Sequence, residues 1–308
     1  MRAHRLWSVL VLLLAACSTT APKPPAATLD RHVLVIGIDG LRGDALACDG
    51  CAQTQALAAL MRGGAYHRNL LAGGTQKTVS GPGWASVFTG FWADQHGVAG
   101  NDKALPMLKP HVFDLIEQAD PGATIAVVGD WYNITHNLLP QGADQVVANA
   151  DKDSQQATDT VKGWLAQDRA PTAIFYYLHN VDVHVCCYEP RNPHYQQMIR
   201  KEDAQIQQVL DALVARPNYA NEDWLIVVAS DHGGLEDKHG GQSPGERAAL
   251  LILNNSYGQP ETHPAYCRGD LSAAPLQQID GAAPHILGFF GLPNPTAGRT
   301  HPACGRAR

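Results

Sequence analysis

The chain of 308 residues contains 45% hydrophobic and 17% charged residues and has a formal net charge of -6 at pH 7. This composition is ordinary for a globular protein, and the length is sufficient for one large domain with a sizeable core. The acidic balance excludes the basic surface by which proteins bind nucleic-acid polymers.

Residues 1–17 have the pattern of a lipoprotein signal peptide. Basic residues precede an apolar run that is too short to span a membrane. The run ends in LAAC, residues 14–17, which resembles the bacterial lipobox and implies a lipid anchor on Cys17. Ser18 after this cysteine favours the periplasmic side of the outer membrane, and a protein whose lipobox is not used would be periplasmic or secreted.

Residues 18–30 are small, polar and rich in proline, which predicts a flexible linker. No second linker and no internal repeat follows. We therefore expect one folded domain over residues 31–308.

The folded part alternates apolar segments with helical patterns. Apolar side chains recur at helical spacing over residues 195–213. The apolar segments that read as buried strands are residues 32–38, 124–128, 172–178, 224–229 and 248–253. This alternation predicts an α/β fold, a three-layer α/β/α sandwich around a mostly parallel sheet.

A serine begins the apolar helical segment SGPGWASVFTG, residues 80–90. The Ser80 hydroxyl can be an N-cap for the first backbone amides. It can also be a nucleophile beside an anion site, because these amides and the helix dipole attract phosphate. Gly81 and Gly83 would then leave room for a ligand to approach the backbone.

Aspartate and histidine follow three of the predicted strands. Asp39 follows the first strand, residues 179–184 (HNVDVH) follow the third, and residues 230–234 (SDHGG) follow the fourth. Ligands of open α/β sheets collect at the carboxyl ends of the strands. A single aspartate there is often only a turn residue, but three such ends have the composition of a zinc or manganese site.

Six cysteines remain after Cys17, and their even number favours disulfides in an oxidising compartment. Cys48 and Cys51 are close in sequence, and Cys267 with Cys304 is a candidate staple for the C-terminal segment. The sequence alone fixes no pairing. A redox-active or zinc-binding pair at Cys48 and Cys51 is the alternative.

These motifs resemble the alkaline phosphatase superfamily, in particular its type I phosphodiesterase/nucleotide pyrophosphatase and sulfatase-like branches. VIGIDGLRGD, residues 35–44, is similar to the first metal-binding strand end, which implies Asp39 as a ligand. Thr89-Gly90 follows Ser80 at the spacing that the family has after its nucleophile. Asn101 occupies the place of the asparagine that pyrophosphatase-like members have after a His-Gly pair.

The remaining metal ligands are also implied by the resemblance. The motif ASDHGG is similar to the family's Asp-His pair and implies Asp231 and His232. The family's DxxGH is only partly matched, since Asp182 is present but Cys186 stands at the histidine place. His184 is the preferred imidazole there, and Cys186 is the alternative.

The last expected ligand is a histidine that precedes a glycine. His239 is the preferred candidate and His263 is the reserve. His285 lies in a segment that resembles the closing helix of sulfatase-like domains, and we expect it to pack within the helix layer.

The resemblance implies two divalent cations, most readily Zn²⁺ with Mn²⁺ as the alternative. One cation would be held by Asp39, Ser80, Asp231 and His232, and the other by Asp182, His184 and His239. It implies a metal-dependent hydrolase of phosphoric esters, a phosphodiesterase, nucleotide pyrophosphatase or phosphomonoesterase. Ser80 would form a phosphoserine intermediate, with Asn101 and the Gly81 amide holding the phosphoryl oxygens.

Other functions are weighed against this one. A sulfatase requires an arginine at the position of Trp84, and a phosphotransferase would share the phosphoserine chemistry. An inactive lipoprotein scaffold is favoured only by the irregular segment after Asp182.

Asn101 and the lack of an obvious arginine clamp favour a diester substrate, either a small molecule or a lipid headgroup. Arg42 is expected to be a solvated surface cation rather than a phosphate contact.

Overall fold

A computed structural model describes residues 29–51, 53–102, 107–149, 154–183, 187–259, 261 and 263–305. The predicted signal peptide, Cys17, His184 and Cys186 lie outside these residues, as does most of the predicted linker. Within the described ranges no helix combines the length and the hydropathy that crossing a membrane requires.

A single eight-stranded sheet lies at the centre of the described chain. Its strands are β1 (Asp30–Ile38), β2 (Ala65–Leu71), β3 (Ile125–Gly129), β4 (Gln145–Ala148), β5 (Ala173–Leu178), β6 (Glu222–Ala229), β7 (Ala248–Asn254) and β8 (Gly269–Asp270). Their order across the sheet is β4-β3-β5-β1-β6-β7-β2-β8. Neighbours are parallel except where β7 pairs with β6 and with β2, so β7 runs against the other described strands.

Helices cover both faces of this sheet. They are α1 (Ala56–Gly63), α2 (Ser80–Thr89), α3 (Ala93–His96), α4 (Val112–Ala119), α5 (Tyr132–Thr135), α6 (Ser154–Leu165), α7 (Asn180–Val183), α8 (Pro193–Val214) and α9 (Ala282–Phe290). Alternate residues of β1 enter two separate cores. Val33 and Val35 pack with side chains of α2, α4 and α9, whereas Leu34 and Ile36 pack with side chains of α1, α6 and α8. The predicted three-layer sandwich is confirmed.

The predicted elements correspond closely to the observed ones. The five predicted strands coincide with β1, β3, β5, β6 and β7, and the predicted helix lies within α8. Asn192 caps α8 by accepting from the His194 and Tyr195 amides, and Pro193 occupies the first turn, where it costs no hydrogen bond. Three strands were not predicted, because polar residues interrupt β2 and because β4 and β8 are very short.

Two disulfides are present among the described cysteines. Cys48 pairs with Cys51, and Cys267 pairs with Cys304, so both suggested pairs occur. The first disulfide lies against the loop that precedes α8, since both of its sulfur atoms are within 3.7 Å of the Pro190 carbonyl oxygen.

A tight turn follows β1 and is held by a tyrosine of α8. Gly40 has φ +67°, and a Cβ there would lie 2.7 Å from Asp182 Oδ1, so only glycine fits. The buried Tyr195 hydroxyl donates to the Gly40 carbonyl at 2.8 Å and accepts from the Arg42 amide at 2.8 Å. Tyr195 thereby holds both ends of the turn in place.

Replacing Tyr195 with phenylalanine is expected to destabilise the protein by roughly 1–3 kcal/mol, because two backbone groups of the turn lose their partner. Equilibrium urea unfolding followed by circular dichroism measures the change. Tyr132→Phe is the control, since Tyr132 is 44% exposed and phenylalanine keeps its ring packing. Equal stability of Tyr195→Phe and the parent would show that these bonds do not hold the turn.

Candidate metal centre

Three adjacent parallel strands bring their carboxyl ends to one edge of the sheet. Ile38 of β1 is in register with Leu178 of β5, and Gly37 is in register with Ala229 of β6. The residues that follow these strands therefore meet in space, at the position where ligands of open α/β sheets bind.

The first group of side chains contains Asp39, Asp231, His232 and Ser80. His232 Nε2 lies 3.3 Å from Asp231 Oδ2 and 3.5 Å from Asp39 Oδ1. Ser80 Oγ lies 3.4 Å from Asp39 Oδ1 and 3.4 Å from His232 Nε2. Both aspartates and the histidine are 0% exposed. The structure thus brings together all four residues that the sequence assigned to the first cation.

Ser80 does not serve as a helix cap. Val79 is the N-cap residue of α2, no side chain caps this end, and Ser80 is the first helical residue. The two glycines after it also have a different role from the predicted one. A Cβ at Gly81 would lie 2.1 Å from the Gly100 carbonyl oxygen, and one at Gly83 would lie 2.7 Å from the Asp231 carbonyl oxygen. These glycines let the helix end pack against protein backbone, which occupies the side where a Cβ would lie.

The second group is centred on Asp182. His239 Nε2 lies 3.9 Å from Asp182 Oδ1, and His179 Nε2 lies 3.9 Å from Asp182 Oδ2. His239 also stacks on His232 with ring centroids 4.1 Å apart, so the two groups adjoin. The predicted ligand His184 lies outside the described residues.

Sequence reasoning did not select His179 as a site residue. The family motif directed attention to Asp182 and to the residues after it, whereas His179 precedes Asp182. The signal that was available is its position, because His179 directly follows β5 as Asp39 follows β1.

The reserve ligand His263 is excluded by its position. Its Nε2 lies 3.1 Å from Asp223 Oδ1, and Asp223 is at the beginning of β6. Asp231 follows the other end of the same strand, so His263 lies at the opposite edge of the sheet.

Hydrogen bonds determine which nitrogen of each imidazole faces the carboxylates. Nδ1 of His232 lies 2.8 Å from the Gly233 carbonyl oxygen, and Nδ1 of His239 lies 3.0 Å from the Thr78 carbonyl oxygen. Because a carbonyl only accepts, both Nδ1 atoms carry the proton. Burial and the neighbouring His232 lower the pKa of His239, which keeps its ring neutral. The Nε2 lone pair of His239 therefore faces an oxygen of Asp182, an arrangement that a cation between the two atoms stabilises.

The buried carboxylates have no cationic partner among the described lysines and arginines. Burial, followed by the charges of Asp39 and Asp182, raises the pKa of Asp231 well above its ordinary value. Asp231 Oδ1 accepts from the Gly40 amide at 3.1 Å, but Oδ2 has no hydrogen-bond partner within the described chain. An unpaired buried carboxylate is costly, and oxygen and imidazole donors suit a divalent cation. The donor set thus fits the metal that the sequence predicted.

Further hydrogen bonds orient the carboxylates. Asp39 Oδ2 accepts from Trp84 Nε1 at 2.9 Å and from the Tyr177 hydroxyl at 2.5 Å, which leaves Oδ1 to face Ser80. Burial and the charge of Asp39 raise the pKa of Tyr177, so this hydroxyl remains a donor. The Tyr188 hydroxyl donates to Asp182 Oδ1 in the same way.

The predicted phosphate contacts have different outcomes. Asn101 Oδ1 accepts from the Gly81 amide at 2.7 Å, so both predicted oxyanion partners lie beside Ser80 and are bonded to each other. The prediction for Arg42 was wrong. Its side chain is only 11% exposed. It donates to Asp44 and to the carbonyls of Tyr188 and Gly234, and these bonds connect two loops.

A buried glutamate of α8 binds the backbone of the segment that carries Asp182. Glu202 is 1% exposed, and its Oε1 accepts from the Asn180 and Val181 amides at 2.6 and 3.3 Å. Its Oε2 has no partner among the described residues. Burial raises the pKa of Glu202 to about 8.

Comparison with family models connects this chain to known sequences. The model of the family described as type I phosphodiesterase / nucleotide pyrophosphatase matches residues 33–132 and 121–238, more than half of the chain. No curated protein sequence matches the chain.

Solved structures with the same fold include a sulfatase and a nucleotide pyrophosphatase / phosphodiesterase. A 2-O GAG sulfatase superposes with a TM-score of 0.70 at 16% identity, over 88% of this chain and 73% of the sulfatase. Inactive murine ectonucleotide pyrophosphatase / phosphodiesterase 5 in complex with AMP gives 0.62 at 13% identity, over 87% of this chain and 97% of the murine chain. A protein in complex with its substrate D-glucosamine-2-N,6-O-disulfate gives 0.65 at 14% identity, over 89% and 79%. At these identities the likeness shows the fold alone.

Replacing Asp231 with asparagine is expected to stabilise the metal-free protein and to weaken the stabilisation that metal provides. In chelator-treated protein, Asp231→Asn should melt at a higher temperature than the parent, because the folded parent must either bury an unpaired carboxylate or take up a proton to neutralise it, and asparagine requires neither. On addition of Zn²⁺ or Mn²⁺ the parent should gain several degrees and the variant much less, since ligand binding stabilises the folded state. Differential scanning calorimetry at both conditions measures this. If neither chelator nor metal changes the melting temperature of the parent, the prediction that a cation binds at Asp231 is wrong.

Replacing Glu202 with glutamine is expected to flatten the pH dependence of stability. The unfolded carboxyl loses its proton near its ordinary pKa, whereas the folded one keeps it until about pH 8. Stability of the parent therefore falls as pH rises from about 5 to about 8, by up to roughly 4 kcal/mol. A glutamine carbonyl still accepts from the two amides and cannot ionise.

Urea unfolding between pH 5 and 9 measures this difference. The advantage of Glu202→Gln over the parent should increase with pH, whereas the exposed Glu189→Gln should show no such trend. Parallel profiles of Glu202→Gln and the parent would rule out a raised pKa at this position.

Proposed function

The chain belongs to the type I phosphodiesterase / nucleotide pyrophosphatase family, and on this basis we propose that it hydrolyses phosphoric esters with Ser80 as the nucleophile. Membership confirms the superfamily relationship that the motifs predicted. The chain is accordingly a hydrolase of the alkaline phosphatase superfamily, and its substrate, metal and mechanism are the subject of the proposal.

One observation carries the proposal. Ser80 Oγ lies 3.4 Å from both a buried carboxylate oxygen of Asp39 and Nε2 of His232, at the first turn of α2. This hydroxyl neither caps its helix nor faces solvent. It lies beside a carboxylate and an imidazole, which are the kinds of side chain that bind metals. Nucleophilic serines are activated by such surroundings.

The two groups of side chains are suited to two divalent cations. The first would be held by Asp39, Ser80, Asp231 and His232, and the second by Asp182, His239 and one further imidazole, for which the sequence favours His184. Mixed imidazole and carboxylate donors favour Zn²⁺, with Mn²⁺ as the alternative. When bound, the cations would lower the pKa of the Ser80 hydroxyl and offset the negative charge of the phosphoryl group.

The chain's own residues then divide the work of an in-line displacement. Ser80 Oγ forms a bond to phosphorus as the ester oxygen leaves with the electron pair of the broken bond. Water next cleaves the phosphoserine, which restores Ser80 and releases the product. Asn101 must turn its amide so that its Nδ2 and the freed Gly81 N–H donate to the phosphoryl oxygens. Trp84 and Tyr177 keep Asp39 Oδ1 directed at Ser80 throughout.

A diester or nucleotide pyrophosphate is the better substrate class. A monoester carries an additional negative charge, which an arginine clamp would neutralise. Arg42 is engaged by Asp44 and two carbonyls and does not supply such a clamp. The fold neighbour that binds AMP is consistent with a small phosphate-containing substrate, and a lipid headgroup ester has the same chemistry.

A sulfate ester is the second candidate, because sulfatases are among the fold neighbours. The resemblance to sulfatases requires an arginine at position 84. Trp84 is instead fully buried and donates to Asp39. This position therefore supports the phosphoric ester.

We also propose that the mature protein is anchored to the outer membrane and faces the periplasm. The LAAC sequence that ends at Cys17 supports a lipid anchor, and residues 18–30 would serve as its tether. The two disulfides are compatible with an oxidising compartment.

Loss of the Ser80 hydroxyl is expected to abolish turnover. Ser80→Ala should lower kcat/KM on bis-p-nitrophenyl phosphate by at least about 10³-fold, because removal of a nucleophile eliminates the covalent route. Ser86→Ala is the matched control, since Ser86 lies on the same helix and bonds to Gln76 and His96. p-Nitrophenyl phosphate and p-nitrophenyl sulfate are assayed in parallel, with and without chelator.

The outcomes separate the candidate functions. Fastest cleavage of the diester, lost with chelator and in Ser80→Ala, supports the proposal. Chelator-insensitive turnover or an unimpaired Ser80→Ala would overturn the mechanism. Fastest cleavage of the sulfate would assign the protein to sulfate esters.

A further inference from the structure

The second group of ligands lacks an imidazole at the place where the family motif puts one. The DxxGH pattern would have a histidine at position 186, where this chain has cysteine. Among the described residues, Asp182 and His239 are the predicted ligands that remain. A further nitrogen donor is therefore expected from another part of the chain.

His179 is close enough to Asp182 to supply that nitrogen. Its Nε2 lies 3.9 Å from Asp182 Oδ2, and His239 Nε2 lies 3.9 Å from Asp182 Oδ1, so one imidazole stands at each oxygen of the carboxylate. Ligand atoms of His179, Asp182 and Asp39 all lie within 4.8 Å of one another. His179 thus adjoins the first group as well.

A carboxylate behind His179 fixes the orientation of its ring. Asp130 follows β3, and its Oδ1 lies 3.0 Å from His179 Nδ1. The side chains of both residues are largely buried. Because the carboxylate accepts, it holds the proton on Nδ1 and directs Nε2 towards Asp182.

The same arrangement recurs at the other two histidines of the centre. His232 and His239 also have Nδ1 bound to an acceptor and Nε2 turned towards aspartate oxygens. A histidine that only packs needs no such orientation. Metal-bound histidines usually have it, since the acceptor behind the ring fixes the tautomer.

We propose that His179 is a ligand of the cation held at Asp182, and that Asp130 orients it as a positioning residue. This inference rests on the proposed function, because it assigns a ligand to one of its two cations. In this chain, a histidine before Asp182 would take the place of the histidine that the family motif has after its aspartate.

The test measures bound metal rather than turnover. The parent and the variants are dialysed against a series of buffered free Zn²⁺ concentrations, and zinc per chain is determined by inductively coupled plasma mass spectrometry. The parent should bind two zinc ions, and His179→Ala should bind one over the same range. Asp130→Asn should still bind two, with the affinity for the weaker one reduced about 10–100-fold.

One further variant tests the competing ligand, and another serves as a control. His184→Ala removes the ligand that the sequence favoured and should retain two ions. His136→Ala removes an exposed histidine of the neighbouring segment and should behave as the parent. Visible absorption of the Co²⁺-substituted proteins gives a second readout, since loss of a nitrogen ligand changes the d–d bands.

The results distinguish failure of the inference from failure of the proposed function. If His179→Ala binds two ions with parental affinity, His179 is not a ligand and the inference is overturned. Loss of one ion in His184→Ala alone would assign that residue instead. A parent that binds no ion would overturn the proposed function itself. If circular dichroism shows that His179→Ala does not fold, the zinc affinity of Asp130→Asn decides. An affinity equal to that of the parent would overturn the proposed roles of His179 and Asp130.

Discussion

The repulsion between three neighbouring carboxylates is the constraint on which the rest of this site depends. Asp39 and Asp231 are fully buried, Asp182 lies next to them, and none of the three is paired with a lysine or arginine of the described chain. Such a cluster is unfavourable unless positive charge is added, because the described lysines and arginines do not compensate it. The parallel strands β5, β1 and β6 create the cluster, since their carboxyl ends meet at one edge. The fold therefore brings these carboxylates together at one edge of the sheet.

The surrounding hydrogen bonds make this cluster directional. Tyr177 and Trp84 occupy one oxygen of Asp39 and leave the other for Ser80. Tyr188 does the same for one oxygen of Asp182, and backbone carbonyls hold the Nδ1 atoms of His232 and His239. Ligands that are oriented in advance bind metal more tightly and lose less freedom on binding. Helix α8 extends this support, because its Tyr195 and Glu202 hold the segments that follow β1 and β5. Stability and function are coupled through these contacts.

The first group of side chains was predictable from the sequence, and the reasons why the roles of His179 and Arg42 were not are physical. Asp39 and the Asp231-His232 pair follow strongly apolar strands, so periodicity locates them at strand ends and the family motif names their role. His179 was missed because its contact with Asp130 joins the segment after β5 to the segment after β3, which no local pattern expresses. The interpretation of Arg42 was wrong because its partners, Asp44 apart, are carbonyls of distant loops.

The sequence by itself determined the class of fold, the five main strands, the two disulfide candidates and the family, because these depend on local periodicity and on short motifs. Only the tertiary structure decided which histidines face Asp182, that Ser80 is not a cap, and that His263 lies at the far edge. These features depend on which strands are neighbours and on the direction of each side chain. Residues separated by more than a hundred positions, such as Asp39 and Asp231, acquire a shared chemistry only when the sheet brings their strands together.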